Sequence, residues 1–88
     1  MNYVLIHHQV NDFGKWKAAY DAHGPERQKA GLKEVSLLHK LDDANDVTLI
    51  FEAKDLDKAQ QFAGSPNLKD VMQKAGVVGK PEITYLKD

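Results

Sequence analysis

The sequence contains no cysteine, which removes disulfides, thiolate catalysis, iron–sulfur clusters and thiolate zinc sites together. It has no surplus of basic charge either. Twelve Lys and Arg stand against 13 Asp and Glu, for a formal net charge of −1, so nothing drives binding to nucleic acid. Long apolar runs are missing. The longest near the N-terminus is Val4-Leu5-Ile6, too short for a signal peptide or a membrane span, and the expected compartment is the cytoplasm. Proline (three) and glycine (six) are too few for a linker, and they fall where elements end. What remains is 88 residues with 42% hydrophobic and 28% charged side chains, enough for one small soluble domain, residues 1–88.

Tyr3 to Val10 reads as a strand. Asn11 or Asp12 then caps a helix whose Phe13, Trp16, Ala19 and Tyr20 recur at three- and four-residue steps and share one face. His23-Gly24-Pro25 interrupts that helix, and Pro25 suits the start of a second short segment, Pro25 to Ala30. Val35 to Leu41 and Val47 to Ala53 read as strands joined through the polar turn Asp42 to Asp46. Asp55 caps a helix carrying Leu56, Ala59, Phe62 and Ala63. Ser65-Pro66 restarts it, and Leu68, Val71, Met72 and Ala75 continue the stripe to Gly76. Glu82 to Lys87 is the last strand. The order β-α-β-β-α-β, with both helices split, predicts an α+β class fold: a ferredoxin-like four-stranded antiparallel sheet with helices on one face.

Alternation sorts the strands into two faces. Val4, Ile6, His8 and Val10 join Val35, Leu37, His39 and Leu41, then Val47, Leu49, Phe51 and Ala53, then Ile83 and Tyr85. This more apolar set belongs under the helices. The other face carries Leu5, Leu38, Ile50 and Leu86 beside His7, Gln9, Lys40 and Glu52, and is too apolar to stay fully wet. A second copy of the chain is the economical cover, so a homodimer is expected.

Three segments carry a family resemblance: Val10-Asn11-Asp12-Phe13 with Trp16, Phe62-Ala63-Gly64-Ser65-Pro66-Asn67-Leu68, and Ala75-Gly76-Val77-Val78-Gly79-Lys80-Pro81. The chain resembles the dimeric α+β barrel superfamily, and within it the antibiotic-biosynthesis monooxygenase-like and small cyclase-like bacterial proteins. The resemblance implies two sheets facing each other in a dimeric barrel. It also implies a reaction class, a monooxygenase, cyclase or isomerase type of chemistry that uses no cofactor. The superfamily hosts many chemistries, so fold does not fix activity.

His8 and His39 are the candidate catalytic residues. Each sits by parity in an otherwise apolar face, where burial keeps an imidazole neutral and able to take a proton from a carbon acid or phenol. The competing reading makes each a core histidine bonded to the backbone. Trp16, Tyr20 and His23, with Tyr85, are the candidate walls of a pocket for a small apolar or aromatic molecule, opened by the helix break at Gly24-Pro25. They too have a competing reading as plain core. A bulge in the first strand would exchange His7 and His8 between faces. No metal site is expected, because His7 and His8 point to opposite sides of a strand.

Overall fold

The computed structural model describes residues 1–88. Four strands, β1 (Asn2–Val10), β2 (Leu32–Lys40), β3 (Asp43–Ala53) and β4 (Val77–Lys87), form one antiparallel sheet in the order β2-β3-β1-β4. Helices α1 (Phe13–Ala22) and α2 (Gly24–Lys29) connect β1 to β2, and α3 (Leu56–Ala63) and α4 (Pro66–Lys74) connect β3 to β4. This is the ferredoxin-like α+β arrangement with both helices split. No helix is long and apolar enough to cross a membrane.

The helix starts follow their capping chemistry. Asp12, Asp55 and Ser65 sit in extended backbone and accept from the amides of Lys15, Lys58 and Leu68 at 3.1, 3.2 and 3.1 Å, satisfying first-turn donors. Pro25 and Pro66 occupy first-turn positions where a missing N–H costs nothing. The core lies between the helices and the sheet. Val4, Ile6, Val47, Leu49 and Phe51 from the central strands close on Trp16 of α1 and Ala59 of α3. Trp16 is 3% exposed, and burying its indole contributes roughly 4–6 kcal/mol before the entropic cost of ordering it.

Register decides which side chains reach the core. β1 pairs with β3 without interruption from Asn2↔Ala53 to Gln9↔Asp46, so His8 keeps its place on the helix side and His7 on the open side. The irregularity next to His8 belongs to β4. Gly79, Lys80 and Pro81 lie between the partners of Gln9 and His7, with Gly79 at φ +73° and Pro81 lacking a ladder donor.

A second bulge sits at Val35 in β2, between Glu34↔Phe51 and Ser36↔Ile50. It shifts parity along that strand. Leu32 becomes core in place of Val35, which is 50% exposed. Leu41, also expected inside, is fully exposed in the two-residue turn between Lys40 and Asp43. The polar turn is therefore shorter than Asp42 to Asp46. Ala44 to Asp46 are instead skipped in the β2–β3 pairing, between Lys40↔Asp43 and His39↔Val47, while Asp46 stays paired with Gln9 of β1; Asn45 Oδ1 accepts from the Phe13 amide at 3.0 Å, and Asp46 is buried. The last strand begins at Val77, five residues earlier than expected, because the β4 irregularity is absorbed within a continuous strand.

Candidate functional site

A cavity of about 60 Å³ lies between the sheet and the helical layer. Ile6 and His8 of β1 and Leu49 and Phe51 of β3 form its floor. Trp16 and Tyr20 of α1 wall one side, and Phe62, Leu68 and Met72 close the other. Every lining residue is apolar or aromatic except three: His8, His23 and Arg27.

His8 is 4% exposed, and its ring meets Trp16 edge-on at 5.4 Å between centroids. No protein group hydrogen-bonds its buried Nδ1. Burial pushes its pKa below the usual histidine value, with the neighbouring His7 adding to the effect. His8 is therefore neutral at pH 7 and presents a basic nitrogen in an apolar enclosure. His23, at the junction of α1 and α2, stacks on Phe62 at 5.7 Å, and its buried Nε2 is likewise without a protein partner. Two imidazoles thus line one greasy space, but the pair is His8 and His23 rather than His8 and His39.

His39 does share a face and a row with His8, through Val47 between them in the ladder. It stands two strands away on the edge strand β2, exposed, with its ring edge-on to Phe13 at 5.6 Å and Nδ1 donating to the Lys40 carbonyl at 2.8 Å. It does not line the cavity. The reason is lateral distance: adjacent strands are about 4.8 Å apart, so parity on the edge strand gives a face without giving depth. Tyr85 fails in the same way. It lies opposite Val4 on the edge strand β4, is 37% exposed, and stays outside the cavity.

Trp16, Tyr20 and His23 all line the cavity. Trp16 and Tyr20 stack at 5.0 Å, and the Arg27 guanidinium lies 3.6 Å over the Tyr20 ring while Nη1 donates to the Tyr20 carbonyl at 2.7 Å. The Tyr20 hydroxyl donates to Glu34 Oε1 at 2.6 Å. Burial first, then this bond, pushes the Tyr20 pKa well above the ordinary tyrosine range, so Tyr20 stays a phenol and serves as a fixed wall. Arg27 was not foreseen. The signal was its place four residues after His23, on the same helical side.

On the open face His7 Nε2 donates to Asp46 Oδ1 at 2.7 Å, and Glu82 Oε1 lies 3.8 Å from Nδ1. The His7 bond holds the Asp46 carboxyl below the usual carboxylate range. Asp46, placed by the sequence in the polar turn, is instead buried and belongs to this pair.

No family model and no curated protein matches the chain. Solved structures do. A protein proposed to be an antibiotic biosynthesis monooxygenase, from Bordetella bronchiseptica, superposes with a TM-score of 0.79 at 14% identity, covering 99% of this chain and 95% of that one. One of the same description from Nitrosomonas europaea gives 0.73 at 14% identity, covering 100% and 98%. SnoaB, a cofactor-independent oxygenase from Streptomyces nogalater, gives 0.76 at 13% identity, covering 99% and 91%. The chain therefore has the ferredoxin-like α+β fold of the antibiotic biosynthesis monooxygenase structures.

Proposed function

We propose that this protein binds a small, largely apolar organic molecule in the cavity beneath the helices and oxygenates it without a cofactor, with His8 as the general base. The observation that carries this reading is the buried His8 Nδ1, neutral and without a protein partner in an otherwise apolar enclosure. Such a nitrogen can take a proton from a phenol or from an activated CH2 beside an aromatic ketone. The resulting anion is electron-rich enough to pass electrons to dioxygen directly. Converting CH2 and O2 to C=O and H2O then balances with no outside reductant. Trp16 and Phe62 would hold the ring, and SnoaB, whose fold the chain shares, is a cofactor-independent oxygenase. The same reading makes the protein a homodimer, its half-apolar open sheet face covered by a second copy.

The cavity's size favours a second reading, a ligand-sensing or purely structural dimer. About 60 Å³ corresponds to roughly two water volumes, whereas about 150 Å³ is known to admit benzene. A ring therefore enters only if roof side chains move. Phe62, Val71 and Met72 are partly exposed and can do so, and Met72 is the most adaptable of them. Oxygen uptake with a panel of phenols and aryl ketones separates the readings. An oxygenase consumes one O2 per carbonyl formed, and His8→Gln lowers kcat by about 10²–10⁴. Saturable binding with no uptake for any compound leaves only the sensing role.

A further inference from the structure

The polar residues around the cavity include no acid: His8 and His23 are imidazoles, Arg27 is a cation, and no carboxylate lines the space. Arg27 has no ion-pair partner. The acid on the neighbouring strand, Glu34, is already occupied by the Tyr20 hydroxyl. Arg27 is also held in place: its stack on Tyr20 and its bond to the Tyr20 carbonyl leave the remaining guanidinium N–H groups free beside the cavity. One helical turn earlier, His23 presents a buried Nε2 that no protein group satisfies. A fixed cation and an unsatisfied imidazole, four residues apart on one wall of an apolar enclosure, are complementary to an anionic head on an apolar body.

We propose that the ligand of this cavity carries a carboxylate, seated against Arg27 and His23, with its apolar part between Trp16 and Phe62. This deepens the functional reading above and rests on the cavity being a binding site. It places the group to be deprotonated at the far end of the ligand, toward His8.

Trp16 is the only tryptophan and lines the cavity, so its emission reports occupancy. Phenylacetate and phenylacetamide, matched in shape and differing in charge, are titrated at pH 7.5 against the wild type, Arg27→Gln and Arg27→Lys, with far-UV circular dichroism as the fold check. Phenylacetate should bind the wild type at least tenfold more tightly than the amide. Arg27→Gln should remove that difference by weakening the acid alone, and Arg27→Lys should keep part of it. Equal wild-type affinities for acid and amide, or Arg27→Gln weakening both alike, would overturn the carboxylate proposal while leaving the cavity reading intact. No saturable change with either compound, nor with the smaller neutral probe benzene, would overturn both. The wild-type comparison stands even if a variant fails to fold.

Discussion

Replacing His8 with leucine should make the protein more stable and less active. The native Nδ1 is buried without a protein partner, a condition that costs about 1–3 kcal/mol. Leucine of similar volume removes it and gives up the edge-on contact with Trp16, worth about 0.5–1.5 kcal/mol. The net gain at pH 7 is about 1 kcal/mol, or roughly 4–8 °C in Tm for a domain of this size. The effect grows with acidity. Burial depresses the His8 pKa below 6.5 in the folded state, so below that pH the unfolded chain binds more protons than the folded one. Wild-type stability is complete above about pH 6.5–7 and falls as pH drops, with a slope from this residue of at most roughly 1.4 kcal/mol per pH unit. His8→Leu should lose that component and pull ahead of the wild type at pH 5.5. Urea denaturation at pH 7.5, 6.5 and 5.5 measures both effects. A variant destabilised by more than about 1 kcal/mol at pH 7.5, with an acid slope unchanged from wild type, would show that His8 is a satisfied core residue and end the argument for it as a base.

His39→Ala should leave phenylacetate affinity at the wild-type value and cost less than about 1 kcal/mol, since it gives up an exposed contact with Phe13 and an exposed hydrogen bond to the Lys40 carbonyl; the same fluorescence titration and a urea melt check both. Met72→Ala should enlarge the cavity, so that 1-naphthol, excluded or weak in wild type, gives a saturable Trp16 signal; no gain would place the entry route elsewhere. Gly76→Ala and Gly79→Ala should each cost about 1 kcal/mol in thermal melts, Gly76 slightly more. Both have positive φ, but a Cβ at Gly76 must also push aside the end of the exposed Asn11 side chain while one at Gly79 meets open space. Sedimentation at micromolar concentration should give a dimer, and Leu38→Asp on the open face should shift it to monomer; a wild-type monomer would remove the dimeric reading.

Element order was legible because capping residues and apolar periods mark the same helices and strands, although β2, β3 and β4 each begin three to five residues before the expected start. The misses came from pairing, which a single strand does not encode. Val35 and Leu32 exchanged places because a bulge inserts one residue into β2, and nothing in Lys33-Glu34-Val35-Ser36 announces it. His39 and Tyr85 were assigned the correct face yet stand on edge strands, because strand order decides which positions the helices cover. Trp16, Tyr20 and His23 share one wall of the cavity because helical spacing and the break at Gly24-Pro25 put them there. Asp46 looked like turn chemistry, and only the register showed it beneath His7.

His7 and His8 are covalent neighbours that live in different solvents. One faces an apolar cavity with no acid in its lining, and the other sits among carboxylates on the far side of a wall one backbone thick. A single residue inserted early in β1 would trade their surroundings, carrying Val4 and Ile6 outward with them. The strand can therefore tolerate exchanges of side chain far better than any change of length, and a length change would forfeit the packed layer and the proton acceptor in one stroke.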